Sequence, residues 1–163
     1  MAELTTLEAK LGEVVGLAMA AQEATQKVMK LPDLEEDLAQ KLERMHEEAA
    51  EAERRRTELA GQYEGKKTAI LEEARETKSK AKEMLTTYLD EQSDALDGFE
   101  FLTMAEAGEV GHWSVLETLN ERARDASIGE FVRWGLPIQQ RHFQDVQLAS
   151  TQLASEKNPE EVE

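Results

Sequence analysis

Apolar residues recur along this chain at spacings of three, four and seven, and no segment alternates with a period of two. Leu7, Leu11, Val14, Ala18, Thr25 and Met29 mark one face of a first helix over residues 5–30. It opens on Thr5-Thr6-Leu7-Glu8, a capping box in which Thr5 and Glu8 satisfy each other's backbone amides. It ends at "KLPD", where Pro32 disfavours helical geometry at Leu31 and Asp33 can cap the next helix. A second stripe runs through Leu34, Leu38, Leu42, Met45, Ala49, Ala52, Arg56 and Leu59. It continues in phase through Tyr63, Ile70, Ala74, Thr77, Ala81, Leu85 and Tyr88. One continuous helix there would span about 80 Å; Gly61 and Gly65 equally permit a break that keeps the molecule compact. The polar stretch "LDEQSDALDG" leads to a third helix over residues 94–124. The turn "RDASIGE", with Ser127 and Glu130 spaced as a second capping box, leads to a fourth helix ending near residue 155. The pattern predicts an all-α, up-and-down four-helix bundle with a long second helix, either continuous or broken near Gly61 and Gly65. Residues 1–155 form one domain in this reading, and residues 156–163 a disordered acidic tail.

Charge narrows the partners. The 163 residues carry 35 acidic and 19 basic side chains, a formal net charge of −16. Such a surface repels phosphate backbones and anionic lipid heads, so no nucleic-acid or membrane role is expected, and divalent metal ions are favoured ligands. The chain has no cysteine, which removes disulfides, thiolate zinc sites and cysteine nucleophiles together. No apolar run approaches the roughly 20 residues of a membrane span, and "MAELTTLEAK" lacks a signal-peptide pattern, so a cytoplasmic protein is expected.

The three histidines share a local pattern. Glu43 precedes His46 by three residues, Glu109 precedes His112, and Gln139 precedes His142. Residues three apart share one face of a helix, so each pair can offer an oxygen and an imidazole to one metal ion. His112 and His142 stand at nearly equal distances from the turn near Ala126, so their heights differ by only about 3 Å. Phe101, Ala105, Gly108, His112, Val115 and Leu119 read as the buried stripe of the third helix. Ile128, Val132, Gly135, Gln139, His142, Val146 and Leu153 read as that of the fourth. Gly108 and Gly135 then leave room beside the two histidines. His46 falls at the edge of its stripe, and Glu43 faces largely to solvent. Three readings stay open for His112 and His142: metal ligation, a core pair hydrogen-bonded to each other or to Gln139, or acid–base chemistry without a metal. Leu102, Val110 and Trp113 form a further apolar stripe on the third helix, so either that helix is buried on two sides or Trp113 meets another chain; the subunit contact is favoured, in a homo-oligomer, a dimer or larger. Pro137 either kinks the fourth helix or marks its true start.

The mid-height ExxH pairs and the run "MAEAGEVGHWSVLETLNERA" resemble the ferritin-like superfamily, nearest its small, stress-associated bacterial branch. The resemblance covers residues 20–155. It implies a metal centre between helices, iron or manganese as cofactor, and a role in iron or oxidative-stress handling. Glu109 would match the carboxylate of the third helix, His142 the histidine of the fourth, and Glu43 with His46 the motif of the second. Gln139 stands where the fourth helix of such proteins carries a bridging glutamate, and the first helix offers no inward glutamate. That pattern implies one weakly held ion, or none, and the alternative is a helical structural or interaction bundle without metal.

Overall fold

In the computed structural model, which describes residues 2–162, five helices and no strand account for the regular structure. They are α1 (Thr6–Met29), α2 (Glu36–Ala60), α3 (Lys67–Tyr88), α4 (Ala95–Ala123) and α5 (Ala126–Ser155). The fold is all-α as expected, but with five helices rather than four. The extra one arises because the predicted second helix breaks after Ala60, where the backbone N–H of Gly61 folds back on the carbonyls of Glu58 and Leu59. Gly65 then takes a φ of 71°, a left-handed conformation that costs glycine little and other residues much. The stripe keeps its phase across the break, yet its two halves pack differently. None of the helices is long and apolar enough to cross a membrane.

Successive helices alternate in direction. α3 therefore runs parallel to α1, with Lys66 2.8 Å from Glu8 at one end and Lys27 donating to the Leu89 carbonyl (2.8 Å) at the other. Gly12 and Gly16 let these two backbones approach. A Cβ at Gly12 would stand 2.8 Å from Ile70 O, and one at Gly16 would overlap the Ala74 carbonyl. α4 descends along α1 and pairs with α5, which in turn meets α2 through Arg55 stacked 4.0 Å over Trp134. Thus α1, α2, α5 and α4 close a ring, and α3 lies against α1 outside it.

Two apolar clusters fill the ring. One gathers Val28, Leu38, Leu42, Phe99, Leu102 and Val146 at one end, and the other gathers Leu11, Val14, Leu59, Leu116, Ile128 and Phe131 at the opposite end. Between them α1 contributes small residues, and α2, α4 and α5 contribute polar ones. The helix starts differ in part from expectation. The Thr5–Glu8 capping box forms, whereas α5 is capped by Asp125 rather than by Ser127 and Glu130. α2 starts after Glu35, with no side-chain cap and no help from Asp33. α5 starts eleven residues before Pro137 and runs through it, so that proline does not mark its start.

α4 presents a different face from the one expected. Its buried line is Phe99, Leu102, Glu106, Glu109, Trp113 and Leu116, while Gly108 and Val115 are exposed. Trp113, expected at a subunit contact, is 2% exposed and stacks on Phe131 with ring centres 4.7 Å apart. It sits inside its own chain and offers no surface to a second one. Gly135 makes room for this indole: a Cβ there would overlap the ring, whereas a Cβ at Gly108 would meet nothing within 4 Å. Gly108→Ala is therefore expected to stabilise the fold by up to about 1 kcal/mol through helix propensity. Gly135→Ala gains the same propensity and should still destabilise by about 1–3 kcal/mol through overpacking. Urea denaturation of both variants checks this; changes of the same sign would contradict the packing described.

Candidate buried polar site

The layer between the two apolar clusters holds Arg56 and Glu48 from α2, Glu106 and Glu109 from α4, and Gln139 and His142 from α5. All but Glu48, half-buried at the edge of the α2 stripe, stand there because their spacing continues a buried stripe. Phe99, Leu102, Glu106, Glu109, Trp113 and Leu116 alternate steps of three and four, so the two glutamates occupy core positions by register alone. Arg56 is 1% exposed, Glu106 2%, Glu109 6%, Gln139 5% and His142 4%.

The groups contact one another closely. The Gln139 amide donates to Glu106 Oε2. The two nitrogens of His142 face different carboxylates, Nδ1 3.8 Å from Glu106 Oε2 and Nε2 3.5 Å from Glu48 Oε1. Glu48 is in turn held by Arg141. The Arg56 guanidinium donates to the Val14 carbonyl and lies 4.2 Å over the Trp113 ring. A cavity of about 10 Å³ remains among these side chains, room for roughly one water.

Burial sets the charges. It pushes the Glu109 carboxyl up to about 7, against the opposing pull of Arg56. Burial, reinforced by the neighbouring charge of Glu109, drives Glu106 well above the usual carboxylate range. Burial pushes His142 down, opposed by Glu48, so its imidazole is held neutral. The Arg56 guanidinium is brought down to about 9 by burial, with Glu109 and Glu53 pulling the other way. Buried polar atoms nearly always find partners. Among the described residues, the unpartnered ones include Arg56 Nε, Glu109 Oε1, Trp113 Nε1 and His142 Nε2, all in this layer, and only Glu72 Oε2 lies elsewhere.

Three of the six expected site residues meet here: Glu109, Gln139 and His142. The other three do not. His112 lies across the α4–α1 contact, its ring 40% exposed, with Nδ1 3.1 Å from Glu13 Oε2 and 3.2 Å from Lys10 Nζ. It faces another way from His142, whose neighbour on α4 is Glu106, because α4 is turned toward its glutamate line. His46 is tied to α1, its Nδ1 3.1 Å from the Gln22 carbonyl and 3.3 Å from Thr25 Oγ1. Glu43 is exposed. Gly108 opens no space beside a histidine of the core. Glu106, Glu48 and Arg56 were missed as site residues. The three–four register through Glu106 and Glu109 was the available signal, and the apolar look of Ala105, Gly108 and Val115 outweighed it.

Among the described residues, no three acidic or histidine side chains stand at the mutual distances of an assembled metal centre. No family model, curated protein or solved structure matches the chain.

Proposed function

We propose that the chain is a ferritin-like helical-bundle protein that loosely holds one divalent metal ion, iron or manganese, between α4 and α5. The observation that carries this reading is the gap between His142 Nδ1 and Glu106 Oε2. At 3.8 Å it is too wide for a hydrogen bond, yet it suits two ligands of one ion at about 2.1 Å from each. Glu48 on the opposite nitrogen is where a metal-bound histidine usually finds the carboxylate that orients it. Gln139, turned over, offers its amide oxygen as a third ligand, and the small cavity admits one water as a fourth. Bound there, iron or manganese would supply the one-electron chemistry that the ferritin-like resemblance implies. Glu106 is the only carboxylate of the set, which limits the site to one weakly held ion. Because burial favours the protonated form of Glu106, the ion must compete with that proton, so affinity rises with pH.

A second reading has its own support. Arg56 already supplies a fixed positive charge in the same layer, as it would in a structural or interaction bundle that needs no metal. Metal analysis and calorimetry separate the two. Wild type and His112→Gln should take up one equivalent of iron or manganese, and His142→Gln none. A wild-type protein that takes up no iron, manganese or zinc between about pH 6 and pH 8 leaves only the metal-free bundle.

A further inference from the structure

A second cavity, of about 230 Å³, opens between α1, α3 and α4. An apolar cavity of roughly 150 Å³ already accepts benzene. Leu17, Ala81, Leu85, Phe101, Leu102 and Ala105 give it hydrocarbon walls. Met84 and Met104 line it while remaining 48% and 38% exposed, and Tyr88, 59% exposed, rests against Phe101 with ring centres 6.0 Å apart. Two exposed methionines thus line one opening, and Tyr88 packs on its Phe101 wall. The charged and titratable groups that line it are Glu23, Lys82, Glu106, Glu109 and His112. Lys78 pairs with Glu23, Gln139 serves Glu106, Glu13 faces His112, and Lys82 is open to solvent. Glu109 differs: it is 6% exposed and its Oε1 has no hydrogen-bond partner. The pocket therefore offers apolar walls, the Glu109 side chain with one unsatisfied oxygen buried just behind them, and the field of a chain with net charge −16.

We propose that this pocket binds a small apolar amine, its hydrocarbon body between α1, α3 and α4 and its ammonium group donating to Glu109 Oε1. An anion would meet the Glu109 carboxyl unfavourably, and a neutral hydrocarbon would leave Oε1 unpaired. Gly108 borders the opening, and a side chain added there meets nothing within 4 Å. Gly108→Leu therefore closes the mouth without strain and replaces a residue that weakens the helix. The pocket shares Glu106 with the proposed ion site, but the amine is held by Glu109, which is not one of the proposed ion ligands.

Titration of ¹³C-methyl-methionine protein with 2-phenylethylamine, 2-phenylethanol and 3-phenylpropionate tests the proposal. The amine should shift the Met84 and Met104 methyls saturably and bind at least about tenfold more tightly than the alcohol, with no binding of the carboxylate. Gly108→Leu should weaken the amine at least about tenfold while the buried Met45 methyl signal keeps its position as a check of the fold. Glu109→Gln should bring amine and alcohol to parity. The proposal is overturned if the amine gives no saturable shift, if the alcohol or the carboxylate binds as well as the amine, or if Gly108→Leu binds like wild type. The comparison of ligands on wild type decides the matter even where Glu109→Gln does not fold.

Discussion

The folded protein should lose about 3 kcal/mol of stability between pH 5 and pH 8, the reverse of ordinary acid denaturation. The Glu109 carboxyl titrates near 7 when buried and near 4.5 in an open chain. Below 4.5 both states carry the proton, so nothing is lost. As the pH rises from 4.5 to 7 the unfolded chain releases its proton while the folded one keeps it, which favours unfolding, and above 7 the loss is complete. At 1.36 kcal/mol per pH unit the difference comes to about 3 kcal/mol. Glu106, also raised well above the ordinary carboxylate range by burial and by the charge of Glu109, contributes with the same sign. His142 opposes them: its imidazole is pushed down, so its contribution is present above 6.5 and is lost as the pH falls through its folded value. Glu8 and Asp94, held low by Lys66 and Lys157 against the cost of burial, weaken the fold only in stronger acid. Urea denaturation at half-unit steps should place the stability maximum on the acid side of neutrality. Glu106→Gln should stabilise the protein at pH 8 and flatten the profile, because it removes a buried charge and relieves Glu109. A profile that rises steadily from pH 5 to pH 8 would contradict the charge states assigned to the layer.

These two glutamates also show why the architecture was easier to read than the site. Helical periodicity is a sum over many residues, so α1, α4 and α5 emerge with nearly their observed limits, and the Thr5–Glu8 box fixes the start of the first. The break after Ala60 turned on a single left-handed residue, Gly65, inside a stripe whose phase never changes. Periodicity cannot detect a reversal that preserves phase. The facing of α4 was lost for a different reason. Hydropathy places glutamate outside, yet the layer places Glu106 and Glu109 inside, where Gln139, the charge of Arg56 and retained protons make burial tolerable. The line through Ala105, Gly108 and Val115 looked apolar because those residues are small or aliphatic. Part of that line borders the α1–α3–α4 pocket, and Val115 faces solvent. His142 and Gln139 were legible because their neighbours Gly135 and Val146 are apolar and buried.

Arg56→Met should cost about 1–3 kcal/mol at pH 8, the usual penalty for leaving a buried charged group without its opposing partner. The methionine keeps most of the apolar stem against Trp113, so the loss is electrostatic rather than a cavity. At pH 8 Glu109 is largely ionised and loses the one cation that opposes its burial. At pH 5 it holds its proton and needs no cation, while the guanidinium itself is strongly desolvated, as its depression to about 9 shows. The cost should therefore shrink as the pH falls and nearly vanish at pH 5. Adding Glu109→Gln to Arg56→Met should recover most of the stability at pH 8 and leave little pH dependence from this pair. A penalty equal at both pH values would mean that packing, not charge, is what Arg56 provides. The same variant bears on the ion site. Arg56 raises the local potential beside Glu106 and His142, so its removal should strengthen the uptake of iron or manganese by at least about tenfold if that site exists. If Arg56 instead stands in place of any metal, Arg56→Met remains metal-free and shows only the pH-dependent loss of stability.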